Sequence, residues 1–426
     1  MFKKIFNSLF LLIFIFSFAI NFCDYQVRAV EAQVKNKAVM LIGGAFSNGL
    51  FERDESGIKY NKNESIWMPL DNNNKYRMVK GVIKFKLFHK DLSTDENGKL
   101  INKNIGLPLK DEKFPHEVDA NVAKYGVGNC YKKLIDNLNE KFPDYNTFLY
   151  NYDWRLDINK TSKKLTKEIQ KYDEVILIGY SLGGLIACKS AVELKKLGKL
   201  NKIKKYISIA VPYNGTVEPF YVLSKGMTTE NDFMAKIIRF LGIPNIVKNL
   251  AVNAASTYQM LPSKTYFDRA KTGYITNTKT GGTLNYKQTL EFLKNCSFAK
   301  KSDGSLKRFL NQPPIYDRFF VNTRKYKTHI LNFLDYHIIA GYGLDTMSEL
   351  TPDIKNKNQL DIKINKYLDG DGTIAFHESA IPFDGIAETR IFKIKARHQF
   401  LIENDKVIEN IINKIEDTNI SPELAA

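Results

Sequence analysis

Short apolar runs stopped by turn residues alternate with longer stretches of helical spacing along most of this chain. Ala38-Val39-Met40-Leu41-Ile42 is apolar without a break and ends at Gly43-Gly44, the pattern of a strand buried on both faces. Residues 147–150, 174–178, 204–209 and 336–340 read the same way. Between them, residues 130–142, 158–171 and 182–197 place apolar side chains at helical intervals. Residues 360–365 alternate as a strand should and 389–395 form another, so the sheet resumes late in the chain before a closing helix over 400–415. Strands alternating with helices predict an α/β fold, a mostly parallel sheet with helices on both faces.

Two stretches interrupt this rhythm. Residues 47–94 are polar, rich in Asn, Lys and Asp with Trp67 among them, and read as a long lid-like excursion over the surface. Residues 215–328 mix helices (233–241 and 246–254) with loops, and read as an inserted cap above the carboxyl edge of the sheet. No internal repeat is visible. At the N-terminus, Lys3 and Lys4 precede an apolar run over 5–22, and small residues follow at Ala29 and Ala32. Charged start, apolar middle and small-residue end predict a signal peptide over 1–32 that leads out of the cytoplasm, leaving 33–426 as one domain. The run is barely long enough to span a bilayer, so an uncleaved anchor is the competing reading. Cys23 as a lipid-modified residue is disfavoured by the bulky Ile20-Asn21-Phe22 before it.

Composition adds a charge argument. Of 426 residues, 63 are Lys or Arg and 46 Asp or Glu, giving a net charge of +17. A basic surface suits an anionic membrane, where each nearby Lys or Arg contributes roughly 1 kcal/mol. No basic stripe with interleaved aromatics points to nucleic acid. Beyond the leader, Cys130, Cys188 and Cys296 are too scattered for a disulfide framework or a metal set, and neither metal nor cofactor is expected.

Gly179-Tyr180-Ser181-Leu182-Gly183-Gly184 carries the chemistry. A serine between an apolar strand and an apolar helix sits on a sharp turn with its hydroxyl exposed, and small flanking residues let the two backbones approach. Serine needs a base, and the base an orienting acid, in the chain order Ser, acid, His. His89 and His116 precede the serine, His329 lies in the insertion, His337 begins a strand, and His377 crowds the acid turn. His398, after the last strand, is the expected base. Asp371, in Asp369-Gly370-Asp371-Gly372, is the expected acid, with Asp369 beside it and Asp345 in reserve. The oxyanion donors are expected at the N–H of Leu182 and of Phe46 or Ala45, in the loop after the first strand.

At this point the sequence resembles the lecithin–cholesterol acyltransferase and lysosomal phospholipase family of α/β-hydrolases. The resemblance rests on Leu41–Leu50, where Gly43 replaces the usual proline, on Tyr152-Asp153-Trp154-Arg155, on GYSLGG, on Ala210–Gly215, on Leu261-Pro262-Ser263 and on Gly370–Thr373. It implies transfer of an acyl chain from a glycerophospholipid to water or an alcohol, a membrane-binding insertion and a mobile lid. The excursion lacks the cysteine pair that closes the lid loop in that family. Lipases or carboxylesterases on neutral lipids or small esters, and a non-catalytic lipid-binding protein on a hydrolase fold, are the alternatives. Trp154 as core and Asp153–Arg155 as a structural ion pair are the favoured readings of the tetrapeptide.

Overall fold

A computed structural model of the chain describes residues 36–53, 60–67, 90, 92–107, 129–226, 243–307, 329–356 and 359–417. The segment 1–32, the expected helix 233–241, and His89 and His116 lie outside them.

The strands run, in order, β1 (Lys37–Ile42), β2 (Leu50–Arg53), β3 (Tyr60–Trp67), β4 (Ile105–Gly106), β5 (Asn146–Tyr150), β6 (Glu174–Tyr180), β7 (Ile203–Ile209), β8 (Tyr336–Gly341), β9 (Leu344–Asn356), β10 (Gln359–Gly370) and β11 (Ile391–Ile394). Six of them form a parallel sheet in the order β11-β8-β7-β6-β1-β5.

The unbroken apolar runs follow from burial on both faces. Ala38, Met40, Ile42, Val175 and Leu177 point to one side. Val39, Leu41, Ile176 and Ile178 point to the other. The first side is covered by helices α2 (Ile158–Ile169) and α3 (Leu182–Lys196), the second by α1 (Lys132–Lys141) and by α9 (Asp405–Glu416). Helix α3 is buried almost all round, from Leu182 to Ala191. It lies against α2 at small residues, where the Ser190 hydroxyl donates to the Ser162 carbonyl at 3.0 Å. Helix α2 begins at Asp157, whose carboxylate accepts the Asn159 N–H at 2.7 Å, and it buries Leu165 and Ile169. Each such buried Leu or Ile contributes about 1.5–3 kcal/mol.

Between β7 and β8 lie five α-helices, α4 (Glu218–Lys225), α5 (Ile243–Asn253), α6 (Ala255–Gln259), α7 (Lys264–Ala270) and α8 (Tyr286–Asn295), among the described residues. None of the described helices is long and apolar enough to cross a membrane.

Three expectations need correction. The stretch 359–370 is a strand, but it does not join the main sheet. It pairs antiparallel with β9 in a separate two-stranded hairpin. A one-strand hydrophobic pattern does not name its partner. The polar excursion is not all surface loop either. Within it β2 pairs with β3, and also with β4 just beyond it, in a small antiparallel sheet, and Leu50, Trp67 and Leu92 are buried. These isolated apolar residues, spaced among Asn and Lys, carry no strong period. The last helix starts later than expected, at Asp405. Residues His398–Glu403 form a 3-10 turn, and the Asn404 side chain caps α9 through the Lys406 N–H at 3.0 Å.

Candidate active site

The sheet register brings the sequence motifs together. Ile42 on β1 pairs with Gly179 on β6, so the loop after β1 starts level with the turn after β6. That turn carries Ser181 in a left-handed conformation, φ 52° and ψ −126°, strained by about 1–3 kcal/mol. It is held by the Ser181 N–H donating to the Ile209 carbonyl at 2.9 Å and the Gly184 N–H donating to the Ser181 carbonyl at 3.0 Å. Gly183 is required here, since a Cβ would stand 2.1 Å from the Ile42 carbonyl oxygen.

Ser181, His398 and Asp371 come together in one hydrogen-bonded chain. Ser181 Oγ lies 3.1 Å from His398 Nε2, and His398 Nδ1 lies 2.8 Å from Asp371 Oδ2. Asp371 is buried, and its other oxygen accepts the N–H groups of Thr373 at 2.9 Å and Ile374 at 2.7 Å. The His398 N–H donates to the Asp371 carbonyl at 2.9 Å, which ties the two loops at the backbone as well. Asp345 and Asp369 face each other on the hairpin, exposed, and neither is the carboxylate on the imidazole. His377 is exposed in a π-turn, and His329 and His337 are buried, His337 against Asn410 at 2.9 Å.

The acid reaches the site through the hairpin. Strand β10 ends directly before Asp371, and the Thr346 hydroxyl on β9 accepts the Gly372 N–H at 2.9 Å.

The loop Gly43–Asn48 abuts the serine: a Cβ on Gly44 would lie 3.2 Å from that of Ser181. Its shape is set from outside. Tyr131 accepts the Gly44 N–H at 3.0 Å, Tyr152 donates to the Gly43 carbonyl at 2.7 Å, and Trp67 Nε1 donates to the Phe46 carbonyl at 2.9 Å. Phe46 adopts φ 65° and packs its ring against both Trp67 and Trp154, 5.2 and 4.4 Å away, in a three-ring cluster. Leu182 opens α3, so its N–H has no acceptor within the helix.

Several supporting residues escape the sequence reading. Tyr180, next to the serine, donates its hydroxyl to the His398 carbonyl at 2.8 Å and stacks on the imidazole, centroids 5.2 Å apart. Burial, then nearby Tyr131 and Asp371, push its phenol well above the usual range, so it stays a neutral donor. Tyr152 sits in the tetrapeptide already singled out, and position alone flags Tyr180. Tyr131 and Thr346 carry no local signal. In the tetrapeptide, Trp154 is core, and Arg155 pairs with Asp153 at 2.6 Å while fully buried.

Comparison with known proteins adds the family. Among solved structures, the Tle4–Tli4 complex contains a chain similar in fold, with TM-score 0.51, 10% identity, 90% of this chain and 99% of that one covered. A lipase-esterase related protein from Clostridium acetobutylicum (13% identity, TM-score 0.20, 46% and 89% covered) is far more distant. Phospholipase PlaB from Legionella pneumophila (11%, 0.20, 68% and 60%) is equally so. No curated protein matches the chain in sequence. The family model for lecithin:cholesterol acyltransferase matches residues 118–373, which takes in Ser181 and Asp371 and stops before His398. A match over more than half of the chain, on an α/β-hydrolase fold, makes this protein a member of the lecithin:cholesterol acyltransferase family and an enzyme of the esterase and acyltransferase type.

Proposed function

We propose that this protein is a secreted serine acyl-ester hydrolase or acyltransferase acting on glycerophospholipids. The observation that carries the reading is the unbroken Ser181–His398–Asp371 hydrogen-bond chain beside a strained serine turn. Family membership supports a lipid acyl ester as substrate, and the family's name supports lecithin-type glycerophospholipids in particular.

Ser181 Oγ attacks the ester carbonyl carbon while His398 Nε2 takes its proton. Asp371 holds the imidazole in the tautomer with hydrogen on Nδ1 and stabilises its charged form. The oxyanion faces the N–H groups of Leu182 and Phe46; losing one such donor costs about 100- to 1000-fold in kcat. The C–O bond to the leaving alcohol then breaks, and His398 returns the proton to that oxygen. Water or a second alcohol attacks the acyl-enzyme by the same relay, releasing a fatty acid or a new ester. The leader over 1–32 delivers the enzyme outside the cytoplasm, and the net charge of +17 favours anionic membrane surfaces.

The test is to incubate purified protein and Ser181→Ala with mixed anionic and zwitterionic phospholipid vesicles containing a sterol, and to resolve the lipids by mass spectrometry. Lysophospholipid and fatty acid from the wild type alone are expected, with sterol ester reporting transfer. Unchanged phospholipid together with hydrolysed neutral lipid or short esters would move the substrate to those classes. Full activity in Ser181→Ala would overturn the serine mechanism.

A further inference from the structure

Two buried tyrosines stand between the oxyanion loop and the base. Tyr180, at the end of β6, is 8% exposed, and Tyr131, just before α1, is fully buried. Their rings meet edge-on, 6.2 Å apart at 72°. Tyr131 holds the Gly44 N–H at 3.0 Å, and Tyr180 holds the His398 carbonyl at 2.8 Å. The Tyr180 ring also lies under the imidazole, at an interplanar angle of 27°.

An imidazole held by hydrogen bonds at its two nitrogens can still tilt about the line through them. Asp371 and Ser181 supply those two contacts. A ring stacked beneath the imidazole blocks the tilt, and a hydrogen bond to the residue's own carbonyl fixes where its backbone stands. Tyr180 does both from one side chain. Because Tyr131 presses on Tyr180 while gripping Gly44, the loop and the base share one packed support. We propose that Tyr131 and Tyr180 form a positioning unit that fixes His398 and the Gly43–Phe46 loop relative to each other. The proposal rests on the serine mechanism above and adds to it the means by which base and oxyanion donors keep register. Both tyrosines act through Gly44 and His398 and not on the reacting atoms, so both are positioning residues rather than catalytic ones.

The experiment compares full-length wild type, Tyr180→Phe, Tyr180→Leu, Tyr131→Phe, the double Phe variant and Ser181→Ala. Turnover of a p-nitrophenyl ester is measured per active site, with sites counted by fluorophosphonate labelling. Tyr180→Phe, which keeps the ring, should lower kcat about tenfold, and Tyr180→Leu about a hundredfold, with KM nearly unchanged. Tyr131→Phe should lower kcat about tenfold, and the double variant should lose less than the product of the single losses, as coupled neighbours do. Unchanged kcat per site in Tyr180→Leu, with fewer sites labelled, would mean a folding role only and overturn the proposal. Fully multiplicative losses would overturn the coupling.

A second readout needs no turnover. The low-field proton resonance of His398 Nδ1–H should be sharp in wild type and Ser181→Ala, and broadened in Tyr180→Leu. A sharp, unshifted resonance in Tyr180→Leu would overturn the positioning role. If wild type labels no better than Ser181→Ala, the serine mechanism fails, and the resonance still decides whether Tyr180 orders the imidazole.

Discussion

Gly341, the last residue of β8, has a place set by a neighbour rather than by its own conformation. A Cβ there would stand 2.5 Å from that of Asp371. Gly341→Ala should push the acid turn away from His398 and lower kcat about a hundredfold. The overpacking should cost about 1–3 kcal/mol of stability, so the protein stays folded. Turnover per labelled site, read beside a denaturant titration, checks both parts. A variant with normal turnover would show that the acid turn tolerates the shift. This residue was not legible as part of the site. In sequence Gly341 is a strand terminator thirty residues from Asp371, and the contact arises because the β9–β10 hairpin folds back. Ser181 differs in this respect. Its role could be read locally because a strand, a turn and a helix in immediate succession create the geometry around it.

At the scale of elements, legibility follows the source of the stabilising contacts. The central strands and helices α1 to α3 carry their own apolar periods, and the structure places them within a residue or two of expectation. The small sheet beside the excursion is tied down in part by one buried cation. Arg155 donates to the carbonyls of Leu92 at 2.6 Å and Ile105 at 3.1 Å while bound to Asp153. Arg155→Met should leave Asp153 buried without its partner and cost about 3–5 kcal/mol. Urea denaturation measures the loss, and limited proteolysis should cut sooner within 92–107. Stability unchanged by the substitution would show that the Asp153 carboxylate does not need this partner and that the anchor contributes nothing to folding. The tetrapeptide made the Asp153–Arg155 pair legible in the sequence, but the Leu92 and Ile105 carbonyls it holds lie 63 and 50 residues away and carry no local signal.

The whole molecule should respond to acid through histidines outside the site. Burial pushes His329 down to about 3, and burial with Lys414 pushes His337 down to about 4. Lys205 and Arg390 act in the same direction on His337, and its hydrogen bond to Asn410 acts against them. Both rings are neutral in the folded protein, while in the unfolded chain they take protons near the ordinary 6.5. Below that pH the unfolded state binds more protons, so stability is present above about 6.5 and is lost as pH falls toward 4 and 3. Melting temperature should therefore drop between pH 6.5 and 4, and His337→Gln should flatten part of that slope. An unaltered slope would assign the acid sensitivity to other groups.

The sequence by itself determined the class of fold, the serine turn and the order of the functional groups. Those features rest on short-range patterns: apolar runs of strand length, helical spacing, and a glycine-flanked serine between the two. The choice of Asp371 over Asp345 and Asp369 was already a sequence expectation, and the tertiary structure supplied the hairpin that carries it to His398. Tertiary structure alone placed β9 and β10 outside the main sheet and stacked Tyr180 beneath the imidazole. Each of these depends on register and on contacts between segments far apart in the chain. No local period encodes them, because the same local pattern fits several partners until the whole core has packed.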